Sequence, residues 1–178
     1  MRKVETAHII VAVVFLVPLV ALMFSRAPVM VSFVLYANLY ALALYDWHSF
    51  RLPNLLNASL LITGFMGTYA LGGDMVAHLI GAVVGFAFIV LLDLAYRRLR
   101  GRAGIGMGDA KFLAGAGAWV GWVGLPPILF IASMAGLGAI LIKSIAGKRH
   151  ERAEQMPFGP YLCLGLWLTW LYFNRINI

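Results

Sequence analysis

The sequence predicts an all-α fold: a polytopic transmembrane helical bundle of about six to seven membrane segments. Three observations predict it. Hydrophobic residues fill 62% of the 178 positions and charged residues only 12%, too few charges to cover a soluble domain of that length. Apolar stretches of roughly 17 to 22 residues recur along the chain, each long enough to cross a hydrocarbon core of about 30 Å. The breaks between them are short and rich in glycine and proline. No polar linker is long enough to separate one domain from another, so residues 1–178 read as one unit, an extra N-terminal helix at about 8–24 followed by a core at about 29–175.

The segments follow in order. The first, His8 to Phe24, is long for the apolar region of a signal peptide, and Ser25-Arg26-Ala27-Pro28 sets an arginine where a small-residue cleavage site belongs, so it reads as a retained helix. The second, about 29–46, starts after Ala27-Pro28 and ends on Asp46. The third, about 54–71, lies between Pro53-Asn54 and Gly72-Gly73, and the fourth, about 75–96, runs into a group of arginines. The fifth, about 109–122, opens after the stretch Gly101 to Gly108. As a helix it spans only about 21 Å, so it is expected to penetrate only some of the bilayer or to tilt against its neighbours around a wet cavity. The sixth, about 125–146, follows Gly124 to Pro127, and the seventh covers about 158–174.

Charge sets the orientation. The net charge is +7, from 14 Lys plus Arg against 7 Asp plus Glu. The basic residues gather at the ends of apolar runs, which marks cytoplasmic loops rather than nucleic-acid binding. With a cytoplasmic N-terminus, Arg2, Lys3, Arg51, Arg97, Arg98, Arg100, Arg102, Lys111, Lys143, Lys148, Arg149 and Arg152 fall on one side, and Arg26 and Arg175 on the other. That split favours an odd number of spans, an outward C-terminus and the inner (plasma) membrane, with the lipid bilayer as surroundings. The single cysteine, Cys163, lies in an apolar run, which excludes an intrachain disulfide and a paired-cysteine zinc site. No cofactor or metal is expected.

Acidic residues are few enough to take singly. Glu5, Glu151 and Glu154 sit beside basic residues in terminal or loop sequence, and Asp74 follows Gly72-Gly73 as a turn residue. Asp93 lies four residues before Arg97, the spacing of an intrahelical ion pair. Asp46 and Asp109 have no such local partner, and an ionisable group at membrane depth is by default a functional hypothesis. Both map to the cytoplasmic edge, so a bundle can bring them together. Two facing carboxylates cannot both ionise cheaply and hold one proton between them. The ionised one takes a proton from water and the protonated one polarises a peptide carbonyl, with no covalent intermediate. Asp109 at a helix N-terminus is the expected base; Asp46 at a helix C-terminus is the expected proton carrier. His8, His48, His78 and His150 are scattered, and His48 alone lies near Asp46, as an interfacial or substrate-contact residue.

Three strings in order carry a resemblance: Asp46-x5-Leu52-Pro53-Asn54; Gly106-Met107-Gly108-Asp109-Ala110-Lys111; and Pro157-Phe158-Gly159-Pro160-Tyr161-Leu162. Together they resemble the type IV prepilin peptidases, of the Gly-x-Gly-Asp class of intramembrane aspartic proteases. The resemblance implies an aspartic endopeptidase with Asp46 and Asp109 catalytic. It implies pilin-like or archaeal flagellin-like precursors as substrates, each with a short basic leader ahead of a hydrophobic helix, cut on the cytoplasmic side. Gly106, Gly108, Lys111, Arg51, Pro53, Asn54, Pro157 and Gly159 follow as supporting residues. The glycines let the backbone turn and approach closely, Lys111 acts electrostatically, and the Pro157-Phe158-Gly159-Pro160 segment shapes the wall or starts a helix with Pro160 in its first turn. Larger members add a methyltransferase domain with paired cysteines, which this chain has neither the length nor the cysteines to hold. An ion- or proton-coupled transporter subunit and a noncatalytic scaffold are the competing readings. The first requires aspartates near mid-membrane; the second tolerates their loss.

Overall fold

The computed structural model describes residues 28–101, 106–145 and 157–176. They form helices α1 (Val29–Ser49), α2 (Asn54–Ala70), α3 (Met75–Arg100), α4 (Met107–Val120), α5 (Leu125–Ile145) and α6 (Gly159–Ile176), with a 3-10 turn at Trp122–Gly124 between α4 and α5. No strand occurs among the described residues. The expected segment at 8–24 lies outside them, as do Arg2, Lys3, Arg26, Arg102, Lys148, Arg149 and Arg152.

Local chemistry explains the helix ends. Pro28 and Pro53 precede α1 and α2 in extended backbone, and Pro126, Pro127 and Pro160 sit in the first turns of α5 and α6, where a missing N–H costs nothing. The Asp74 carboxylate accepts from the amides of Val76 at 2.9 Å and Ala77 at 3.2 Å, capping α3. At the other end of α3 Gly101 takes φ 70°, the left-handed cap that glycine adopts most cheaply. Three helices run past their expected limits. The first reaches Ser49 rather than 46, which places Asp46 inside its last turn. In α3 the helix carries Arg97, Arg98 and Arg100: basic residues end an apolar run but are good helix formers, favoured near a C-terminus. The third, α4, begins two residues before Asp109.

Helix α4 is the centre of the bundle. Nine of its fourteen residues are buried, because α2, α3 and α6 all pack around it. A helix wrapped by protein need not match the bilayer thickness, which resolves why this segment is short. Small residues permit the approach: a Cβ at Gly117 would lie 2.2 Å from the Gly81 backbone, so α3 and α4 meet backbone to backbone. Hydrogen bonds between helices add specificity where no water competes. Trp119 Nε1 donates to the Leu60 carbonyl at 2.9 Å, Thr68 Oγ1 to the Ala118 carbonyl at 3.1 Å, and Trp170 Nε1 to Ser32 Oγ at 3.0 Å.

Large apolar side chains point outward, with Met30 and Ile145 both 86% exposed. Such a surface suits lipid rather than water. Val29–Ser49, Met75–Arg100 and Trp122–Ile142 are each long and apolar enough to cross a membrane. This is a membrane protein. Its helix ends sort into two sets, each around a cavity. One cavity is lined from the C-terminus of α1 and the N-termini of α2 and α4, with Pro157 and Phe158 ahead of α6. The other is lined from the C-termini of α2, α4 and α6 and the N-terminus of α3.

Candidate active site

The first cavity, of about 550 Å³, holds both Asp46 and Asp109 on its lining. They are 63 positions apart in the chain and meet because α1 ends where α4 begins. Asp46 is 5% exposed. Its Oδ2 accepts the backbone N–H of Gly159 at 2.9 Å, across 113 positions of sequence. A Cβ on Gly159 would lie 2.7 Å from that oxygen, so only glycine brings the α6 backbone this close without displacing the carboxyl. The segment therefore does both things expected of it: it starts α6, with Pro160 in the first turn, and it walls the aspartate.

Asp109 is half-buried in the first turn of α4. Its own N–H donates to the Gly106 carbonyl at 3.1 Å. The two motif glycines differ in what they do. Gly106 has φ −73° and ψ 134°, open to any residue, and a Cβ there would only reach ordinary contact, 3.7 Å from Asp109 Oδ2. Gly108 is the close approach: its Cβ would meet Leu52 Cβ at 3.1 Å. The expected close approach thus belongs to Gly108 and not to Gly106, and neither takes a positive φ.

The connection from α1 to α2 forms the cavity mouth. Phe50, which lines it, adopts φ 51° and donates its N–H to the Asp46 carbonyl at 2.9 Å. It is the one non-glycine residue with positive φ among the described residues, a conformation costing roughly 1–2 kcal/mol and concentrated at functional sites. Arg51 is exposed on the same lining, and Pro53 lies behind it as the lead-in to α2. Lys111 Nζ donates to Asn54 Oδ1 at 2.6 Å, tying α4 to α2 at the rim.

Other acids and histidines lie elsewhere. Asp93 pairs with Arg97 at 2.6 Å, the intrahelical bridge their spacing predicts. Asp74 and His78 line the far cavity, of about 390 Å³. His48 turns back on α1, its Nδ1 2.8 Å from the Leu44 carbonyl, and is not among the residues lining the aspartate cavity. One residue escaped the sequence reading. Asn57 is 3% exposed, its Nδ2 reaches the Gly108 carbonyl only at 3.5 Å, and its Oδ1 has no partner. An unpaired buried acceptor costs about 1–3 kcal/mol. An asparagine facing the core in the first turn of an apolar helix was the available signal.

The sequence pattern of the type IV leader peptidase family matches residues 33–141. The chain is 36% identical over 147 residues to a prepilin leader peptidase/N-methyltransferase of Aeromonas salmonicida, covering 78% of this chain and 48% of that protein. It is 38% identical over 138 residues to the protein of that name from Burkholderia pseudomallei, covering 75% and 43%. The leader peptidase HopD of Escherichia coli is 34% identical over 131 residues, covering 72% of this chain and 84% of HopD. The chain thus spans about half the length of the first two relatives and most of the third. No solved structure matches it.

Proposed function

The chain belongs to the type IV leader peptidase family, and from that premise we propose that it is an aspartic endopeptidase that removes the short basic leader from prepilin-like precursors. The observation that carries the proposal is the cavity shared by Asp46 and Asp109. Two carboxyls opening into one space form the minimal apparatus for hydrolysis without a covalent intermediate. In the proposed cycle Asp109, in the first turn of α4, is the resting carboxylate, where the helix dipole favours an anion. It takes a proton from water as the water oxygen adds to the peptide carbonyl carbon. Asp46, in the last turn of α1, gives its proton to the carbonyl oxygen. Since Gly159 N–H occupies Asp46 Oδ2, that proton belongs on Oδ1. The tetrahedral species then collapses, the C–N bond breaks, the leaving nitrogen takes a proton from Asp109, and a hydroxyl of the collapsing gem-diol returns its proton to Asp46 as the new carboxyl forms.

The remaining residues support the dyad. Gly108 and Gly159 let backbone close around it, Lys111 and Asn54 brace the rim, and Arg51 and Pro157 shape the mouth, with Pro53 and Gly106 setting the starts of α2 and α4. Exposed Arg97, Arg98 and Arg100 support placing the aspartate end on the cytoplasmic side of the inner membrane, with the C-terminus outside. A transport role has no observation in its favour, because both aspartates open at one set of helix ends.

The test is direct. Purified protein in detergent is incubated with a precursor carrying a basic leader ahead of an apolar helix, and the product is sized and its new N-terminus determined. Leader removal by the wild type that disappears in Asp46→Asn and in Asp109→Asn is the expected result. Removal surviving both substitutions rejects the proposal.

A further inference from the structure

Among the described residues, positive φ is taken by Gly72, Gly101, Gly121 and one residue with a side chain, Phe50. Glycine closes α3 in the left-handed conformation at Gly101; at the end of α1 the same cap falls to Phe50, with φ 51° and ψ 32°. A residue carrying a Cβ is costly there, so the phenylalanine needs a reason that glycine would not satisfy. Packing does not supply one. Phe50 is 50% exposed, and it belongs neither to the buried core nor to the residues packed against that core. What Phe50 does line is the aspartate cavity, and its N–H is bonded to the carbonyl of Asp46 itself.

Two more large apolar residues on that lining are exposed, Met107 at the start of α4 and Phe158 ahead of α6. The three come from separate segments, and each adjoins a group that builds the site. Phe50 is one turn past Asp46, Met107 two residues before Asp109, and Phe158 next to Gly159, whose N–H holds Asp46. On the flanks of the bundle lipid covers exposed apolar side chains. Inside this cavity lipid would also meet Asp46, Arg51, Asp109 and Lys111, which an acyl chain cannot serve. A peptide serves both, with backbone for the polar groups and a side chain for the apolar ones. Arg51 and Lys111 on the lining repel a basic leader residue, so the side chain that fits is the uncharged one on the other side of the cut.

We propose that Phe50, Met107 and Phe158 form an apolar clamp in the aspartate cavity for the side chain immediately after the scissile bond, with Phe50 as its specificity-determining residue. The inference rests on the peptidase reading above and adds to it what selects the bond. Because the Phe50 N–H is tied to the Asp46 carbonyl, a side chain held against the ring sets the adjoining peptide bond in register with the two carboxyls.

Steady-state kinetics on the full chain test this with two precursors, each a basic leader ahead of an apolar helix. They differ only in the first residue after the cut, leucine in one and alanine in the other. Phe50→Gly removes the ring and gives the left-handed cap the residue it favours. It is expected to raise KM for the leucine precursor about five- to twentyfold, the range one apolar side chain losing its contact supplies. For the alanine precursor, which has little to lose, KM should move by less than about twofold. The melting temperature of Phe50→Gly should equal or exceed that of the wild type, because the costly cap is relieved. Phe50→Tyr keeps the ring and should restore the preference for leucine. A KM for the leucine precursor that stays at the wild-type value, or that rises no more than the KM for the alanine precursor, overturns the inference; an equal rise is what a mere interfacial anchor would give. A lower melting temperature in Phe50→Gly also overturns it, as the mark of a structural role. In each case cleavage by the wild type keeps the peptidase reading intact, whereas a wild type that cleaves neither precursor removes that reading, and the inference with it.

Discussion

Among the described residues, one backbone contact holds the Asp46 carboxyl. The N–H of Gly159 reaches it from the start of α6, and glycine is required there because any side chain would enter the space of the carboxyl. This makes Gly159→Ala a sensitive probe of positioning. The added methyl must push the Asp46 carboxyl aside, and misplacement by about 1 Å can cost 10²-fold in rate. We therefore expect kcat to fall by about 10- to 100-fold with the protein still folded, measured by cleavage kinetics beside a thermal melt. Unchanged kcat would show that the carboxyl need not sit where the Gly159 amide holds it. At this scale the sequence was most legible for charge. Scarcity singled out Asp46 and Asp109, and spacing assigned Asp93 to Arg97. It was least legible for Asn57, whose meaning depends on which way an amide faces in a packed interior.

Among elements, α4 departs most from what its composition suggests. Fourteen residues with seven small ones read as a weak span, yet it is the most buried helix in the bundle because those small residues admit its neighbours. Apolar length measures exposure to lipid and says nothing of a helix that lipid never touches. The contact between Gly81 and Gly117 is where this packing is tightest. Gly117→Leu should lower stability by about 1–3 kcal/mol or more, through overpacking against the α3 backbone. Gly138 on α5 is the control: among the described residues, no atom beyond its own stretch of helix lies within 4 Å of a Cβ there, so Gly138→Ala should be neutral or stabilising by up to about 1 kcal/mol. Thermal melts of both variants in one detergent check the contrast, and equal losses would refute close packing as the role of Gly117. The longer extents of α1 and α3 were hidden for a simpler reason: a charged residue ends a hydropathic run without ending a helix.

The whole molecule presents one end with Asp46, Arg51 and Asp109 and another with Asp74, His78 and Trp122. The orientation proposed above puts the first end, with its basic residues, in the cytoplasm. The chain's one cysteine, Cys163, is fully buried, so introduced thiols can be read without background. A membrane-impermeant maleimide should label Leu71→Cys on intact cells and Arg51→Cys only after permeabilisation; the reverse pattern would invert the topology. Charge counting is what proposes this orientation, whereas the convergence of α1, α2, α4 and α6 around one cavity was not legible in the sequence, because it depends on packing between distant segments. That convergence is the central claim, since it makes two aspartates one apparatus. Residues acting as a unit are strongly non-additive, so leader removal should be measured in Asp46→Asn, Asp109→Asn and the double variant. Each single substitution is expected to lose about 10²- to 10⁴-fold of kcat, and the double variant no more. A double variant whose loss is the product of the two single losses, or a single variant that cleaves at the wild-type rate, would contradict it.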